Sequence, residues 1–181
     1  MIILLGVAGS GKSEQGRLLA DEYGYAWIST GEILRVLITG KRRHEMLAGR
    51  LLSDEEMIQI MDKILDVIDT NQEFILDGFP RTIPQTDWLL KQVEKGRFKH
   101  TAVIHLTASE KILRERLKSR GRLDDTDDAI NQRFSEYQAV TRPIIDHFRK
   151  EQIQIYDIDG ANTPRQVHEQ IMKVVRKNSI E

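Results

Sequence analysis

A chain of 181 residues, 40% of them hydrophobic, can bury the core of one compact unit. Its 27 Lys and Arg against 28 Asp and Glu leave a net charge of -1, so bulk charge argues for neither nucleic acid nor an acidic membrane as partner. The absence of cysteine excludes disulfides and thiolate metal sites, and five dispersed histidines (44, 100, 105, 147 and 168) argue against structural zinc.

The chain opens on an apolar run, 2–5, which predicts a buried strand. Gly6-Val7-Ala8-Gly9-Ser10-Gly11-Lys12-Ser13 follows and fits G-x-x-x-x-G-K-[S/T], before a helical pattern carrying Leu18, Leu19 and Tyr23. Glycines there turn backbone N–H groups toward phosphate oxygens; Lys12 adds a positive charge and Ser13 a hydroxyl for Mg²⁺. The helix aims the positive end of its dipole at the same spot. Further strands are expected at 26–28 (the weakest), 74–76, 102–106 and 153–158, alternating with helical patterns. That rhythm predicts a three-layer α/β unit around a doubly wound parallel sheet, with ligands outside the carboxyl ends of the strands.

Ser53-Asp54-Glu55-Glu56 has capping-box spacing, and Met57, Met61, Ile64, Leu65 and Ile68 then recur on one face, which predicts a helix over 54–69. Ile130, Phe134, Tyr137, Ile144, Ile145 and Phe148 mark a long helix that Pro143 bends or interrupts. Thr163-Pro164-Arg165-Gln166 caps a closing helix. The basic run Lys41-Arg42-Arg43-His44 and the acidic run Asp124-Asp125-Thr126-Asp127-Asp128 are read as solvated loops, the second also loading the start of its helix. No basic leader precedes the first strand and no apolar stretch of roughly 18 residues occurs, so neither a signal peptide nor a membrane span is expected, and the cytoplasm is the default.

Chemistry concentrates at two further places. Asp77-Gly78-Phe79-Pro80-Arg81-Thr82 puts a carboxylate for Mg²⁺ and a guanidinium for a second phosphate at a strand end; an Asp–Gly turn with a surface arginine is the plain alternative. Arg114, Arg116, Arg120, Arg122 and Arg133 surround the turn at Gly121, and converging cations are what phosphoryl transfer requires. Arg114, beside Glu115, is instead read as a salt-bridged surface residue.

Four blocks taken together resemble the nucleoside monophosphate kinases, most closely an adenylate kinase with a short lid. They are the phosphate loop through Gln15, Ile28-Ser29-Thr30-Gly31-Glu32-Ile33-Leu34-Arg35, Asp77 through Gln85, and Gly121-Arg122-Leu123-Asp124-Asp125. The resemblance implies one kinase domain over 1–181 with a five-stranded parallel core, a nucleoside-monophosphate insert at 30–53 and a short lid at 117–127. It implies transfer of the γ-phosphoryl of Mg-ATP to AMP by a monomer without nucleic-acid or membrane partners. ATP would meet Gly9, Ser10, Gly11, Lys12, Ser13, Glu14, Arg116, Arg120 and Gly160. AMP would meet Thr30, Arg35, Arg50, Leu51, Leu52, Gly78, Phe79, Pro80, Arg81, Gln85, Arg122 and Arg133. Lys12, Arg81, Arg120, Arg122 and Arg133 would act in catalysis, and Ser13 and Asp77 would serve Mg²⁺, Asp77 through water.

Two of these have structural competitors: Thr82 and Gln85 have capping-box spacing, and Thr30 can cap a helix. The chain departs from the family in Ala8 for the usual proline, Ser13-Glu14 for the usual glycine and threonine, and a shorter segment from 35 to 49. Ser13 is expected to face Mg²⁺, with the Glu14 carboxylate turned aside toward an arginine such as Arg17. A pyrimidine monophosphate kinase, a small-metabolite kinase of the gluconate or shikimate type and a nucleotide-binding regulator with little turnover are the competing functions.

Overall fold

The apolar runs pair side by side. The computed structural model describes residues 1–48 and 52–178. In it β1 (Ile2–Leu5), β2 (Ala26–Ser29), β3 (Phe74–Asp77), β4 (Ala102–Thr107) and β5 (Ile155–Asp159) form one all-parallel sheet in the order β2-β3-β1-β4-β5. Parallel neighbours need crossovers, and helices supply them. These are α1 (Lys12–Tyr23), α2 (Thr30–Leu37), α3 (Gly40–Leu47), α4 (Asp54–Val67), α5 (Ile83–Glu94), α6 (Glu110–Arg120), α7 (Asp127–Glu136), α8 (Pro143–Lys150) and α9 (Pro164–Asn178).

Both faces of the sheet are covered, which is why its inner strands read as unbroken apolar runs. Successive side chains alternate between two cores. Ile3, Leu5, Phe74, Leu76 and Val103 join Met57, Met61 and Leu65 of α4, Leu89 of α5, and Ile144, Ile145 and Phe148 of α8. Ile2, Leu4, Ile75, Ile104 and Leu106 face the other way, onto Leu19 of α1 and Val167, Ile171, Met172 and Val175 of α9. Register brings the ends of three neighbouring strands, β2, β3 and β1, level: Ser29 pairs with Asp77, and Asp77 with Leu4.

Helix starts follow their capping residues. Ser53 accepts from the N–H of Glu56, Thr82 from Gln85, Thr126 from Ala129, and Thr163 exchanges bonds with Gln166. Helix α4 stops at Val67, two residues short of the expected end, because Ile68 turns extended. The basic run 41–44 is helical instead of a loop, lying within α3. The long helix expected around Pro143 is divided. Its first part, α7, runs into a π-helical turn, Tyr137–Thr141, before α8 restarts with Pro143 at a position where its missing N–H removes no helix bond. Arg114 does lie on a helical surface, donating to Glu110 at 2.8 Å and stacked over Phe134.

Leu89 is fully buried between α5 and the sheet. Leu89→Ala should therefore lower unfolding stability by about 2–5 kcal/mol, read as a shifted denaturant midpoint with unchanged slope. A loss under about 1 kcal/mol would mean that this core layer collapses onto the gap.

Candidate active site

The carboxyl ends of β1 and β3 open into a cleft of about 480 Å³. Its wall is completed by the start of α1, by α2, and by the segment from Arg116 of α6 through Thr141. An open α/β sheet leaves such a crevice where neighbouring strands send their chains to opposite sides, as β1 and β3 do here.

At the floor, Gly6 to Gly11 wraps from β1 into α1. Lys12 bends back over this loop, its Nζ donating to the carbonyls of Gly6 at 2.6 Å and Val7 at 3.0 Å. Burial lowers the Lys12 ammonium from 10.5 to about 8, with Arg81 and Arg120 pushing the same way and Asp77 opposing. Ser10 is buried behind the loop, not in the cleft wall. A Cβ on Gly160 would meet the Ser10 carbonyl at 2.6 Å, so only glycine lets the turn after β5 support the loop from behind. The Gly160 carbonyl in turn accepts from Arg116 at 2.7 Å.

Ser13 Oγ donates to Asp77 Oδ2 at 2.7 Å, joining the loop to the end of β3. This pair suits Mg²⁺ in donor chemistry, since both atoms are hard oxygens. It is too small for a cage, and no group of three or more His, Asp or Glu among the described residues could hold a metal. Such a donor set fits an ion carried largely by substrate phosphates and water.

Immediately after Asp77, Gly78 has φ 85°, and a Cβ there would lie 2.6 Å from Thr30 Oγ and 3.1 Å from an Arg81 nitrogen. That tight passage lets Arg81 fold back, Nε donating to the Gly78 carbonyl at 2.8 Å. Thr30 does not cap α2, where Ser29 takes the cap position; its hydroxyl donates to the Asp77 carbonyl. Gln85 is 2% exposed and tied at both ends. Its Oε1 accepts from the Arg81 N–H and its Nε2 donates to Asp54 Oδ1, each at 2.8 Å. One N–H and one lone pair of the amide remain for a ligand.

The acidic run corrects the expectation of a solvated loop. Asp124 is 4% exposed and accepts from Arg35 at 2.8 Å and from Arg133. Asp125 takes two bonds from Arg120, at 2.9 and 2.7 Å, and one from Arg133 at 3.2 Å. Arg122 reaches Glu32 of α2 at 2.7 Å. Unpaired, these guanidiniums would repel one another; carboxylates placed between them hold them toward one space. Burial raises both aspartates, but the Arg35 hydrogen bond with the charges of Arg133 and Arg35 outweighs it at Asp124. The hydrogen bond and charge of Arg120 do so at Asp125, so both carboxyls lie below their ordinary range.

Of the residues singled out in the sequence, Gly9, Gly11, Lys12, Ser13, Glu14, Thr30, Arg35, Leu52, Asp77, Gly78, Pro80, Arg81, Gln85, Arg116, Arg120, Arg122 and Arg133 line this one cleft. Ser10, Phe79 and Gly160 stand behind its wall, Phe79 fully buried against Trp88. Arg50 and Leu51 lie outside the described residues. Glu14 is exposed at the rim, and no ion pair joins it to Arg17 among the described residues; Arg17 lies 5.9 Å over the Trp27 ring instead. Glu32, Tyr137 and the pairing role of Asp54 escaped the sequence reading. Only the position of Glu32 inside a conspicuous block could have flagged it.

Residues 4–153 match the family model described as adenylate kinase. The chain is 34% identical to an adenylate kinase of Nitrobacter hamburgensis, with 97% of this chain and 92% of that protein covered. It is 36% identical to one of Corynebacterium urealyticum (93% and 94% covered) and 34% identical to one of Mycobacterium tuberculosis (97% and 99%).

The aspartate pairing generates a pH signature. Carboxyls with lowered folded-state values stabilise fully above their ordinary 3.8, and lose that contribution as pH falls through the folded value. Asp124→Asn should therefore cost about 1.5–3 kcal/mol at pH 7. The gap from the parent should narrow as chemical unfolding is followed from about pH 5 down past 3.8. A gap independent of pH would contradict the ionised pairing.

Proposed function

The chain belongs to the adenylate kinase family, and on that premise we propose that it transfers the γ-phosphoryl group of Mg-ATP to AMP, giving two ADP. The observation that carries this reading is the convergence of Lys12, Arg35, Arg81, Arg116, Arg120, Arg122 and Arg133 on the cleft that also holds the Ser13–Asp77 pair. A phosphoryl group in flight spreads charge over several oxygens, and preplaced cations are the main resource a protein can offer it.

On this reading the loop backbone from Gly9 to Ser13, with Ser10 behind it, cradles the donor phosphates and Lys12 follows the transferring group. Arg120, Arg122 and Arg133 stabilise it in the transition state, while Arg116, fastened to Gly160, borders the donor base. Arg35 and Arg81 grip the acceptor phosphate. Thr30 and Gln85 meet the acceptor base, with Leu52, Arg50 and Leu51 along the adenosine. Gly78, Phe79 and Pro80 set the path of that wall. Glu14 contributes its backbone N–H, leaving its carboxylate in solvent. Ser13 and Asp77 would hold Mg²⁺, Asp77 through water; when bound, the ion would offset the negative charge of the phosphates. We assign residues 30–53 to the acceptor insert and 117–127 to a short lid within the single domain 1–181. The finer proposal is a cytoplasmic monomer without nucleic-acid or membrane partners; no helix among the described residues is long and apolar enough to cross a membrane.

Acceptor choice follows from Gln85. Asp54 and the Arg81 N–H fix which end of its amide is which, so the free N–H and lone pair are offered in one order. That order can match an adenine edge, where donor and acceptor lie side by side. The test is diphosphate formation from Mg-ATP with AMP, GMP, CMP and UMP. AMP should be preferred; a preference for UMP or CMP would make this a pyrimidine nucleotide kinase, and binding without turnover a regulator.

Lys12→Met separates chemistry from folding. The depressed Lys12 value means the ammonium subtracts from stability below about pH 8, a penalty relieved as pH rises toward 10.5. Removing it should leave stability at pH 7 within about 1 kcal/mol of the parent, two lost carbonyl hydrogen bonds opposing the gain. Its kcat should fall about 10²-fold or more. Near-normal turnover by folded K12M would contradict the assignment.

A further inference from the structure

His105 is a polar residue in the middle of an apolar strand, β4, and is 7% exposed. A buried imidazole is costly unless both nitrogens are satisfied, and here both are. Nδ1 lies 2.6 Å from Asp157 Oδ1 on β5, and Nε2 lies 2.7 Å from the Tyr137 hydroxyl. An ionised carboxylate only accepts, so Nδ1 donates to Asp157, which leaves Nε2 to share a hydrogen bond with the Tyr137 hydroxyl. Arg149 approaches the far side of Asp157 at 3.7 Å.

Tyr137 is where this chain meets the cleft. It lines the cleft beside Arg133 and Glu136, and it opens the π-helical turn. Its N–H donates to the Arg133 carbonyl, and its own carbonyl accepts from Arg142 at 2.7 Å. The side chain is thus moored to the sheet while the backbone is moored to the residue that spans Asp124 and Asp125. A π turn is rare, and it persists where something outside the helix holds it. It also re-aims the residues on either side.

We propose that Asp157, His105 and Tyr137 form a positioning relay that holds the wide turn and thereby sets the direction of Arg133 in the cleft. None of the three belongs to the phosphate loop or to the arginine set. This inference rests on the phosphotransfer reading, because Arg133 matters in proportion to the charge that develops during transfer. Tyr137 acts through Arg133, and His105 acts through Tyr137.

The substitutions Tyr137→Phe, His105→Asn and His105→Gln test it by ADP formation, with melting temperature measured in parallel. Asn places its amide near Nδ1 and keeps only the Asp157 bond; Gln reaches the position of Nε2 and keeps Tyr137. Y137F and H105N should each lower kcat about tenfold with KM for AMP within about twofold, since a small misplacement of a transition-state group acts on kcat. H105Q should recover kcat to within about threefold of the parent. Unchanged kcat in Y137F, or equal kcat in H105N and H105Q with only melting temperatures differing, would reduce the relay to core packing and overturn the proposal. Failure of the phosphotransfer reading would appear differently: the unsubstituted protein would form no ADP.

Discussion

Of the eight cations that line the cleft among the described residues, seven, all but the Arg17 that lies over Trp27, set the constraint on which the remainder turns in a chain of net charge -1. Each of them has an oxygen to rest on. Lys12 uses carbonyls of its own loop, Arg81 the Gly78 carbonyl, Arg116 the Gly160 carbonyl, and Arg35, Arg120, Arg122 and Arg133 use Asp124, Asp125 and Glu32. Carbonyls orient a cation without cancelling its charge. Carboxylates, among them the nearly buried Asp124 and Asp125, supply counter-charge where several guanidiniums come together.

The sheet earns its place by delivering those oxygens to one point. The parallel order brings the end of β1, which becomes the phosphate loop, level with the end of β3, which becomes Asp77-Gly78. The Ser13–Asp77 bond and the Thr30 bond to the Asp77 carbonyl then tie two consecutive crossovers to that strand end. Behind it, Gly160 presses on Ser10, so the last strand supports the first loop across the sheet. A charged site of this kind is held by backbone geometry first and by side-chain pairing second.

The same logic extends to the far wall. Helix α7 carries Arg133 on its cleft side and passes into a π turn whose first residue is anchored to β4 and β5 through His105 and Asp157. Sheet and cleft wall are therefore connected by hydrogen bonds with defined donors and acceptors as well as by apolar packing of Ile144, Ile145 and Phe148. Directional contacts fix rotation about the helix axis, which apolar contacts alone leave loose.

By itself, the sequence determined what depends on neighbours along the chain. The succession of apolar runs along the chain, the phosphate loop, the capping residues Ser53 and Thr163 and the block from Asp77 to Gln85 were all legible, because each is a local pattern with a local physical cause. The fold class followed from their rhythm. Tertiary structure alone decided how distant charges meet. Asp124 and Asp125 read as solvated because a run of acids does not show which arginines turn onto it; Arg35, 89 residues away, reaches Asp124 across the cleft, and Arg120 and Arg133 fold onto Asp125 from either side of the turn. Gln85 read as either a cap or a base contact because one of its side-chain partners, Asp54, lies 31 residues away on another helix. His105 was only one of five dispersed histidines, since its partners lie 52 and 32 residues away. Electrostatic pairing acts through space, and a one-dimensional pattern carries no distance.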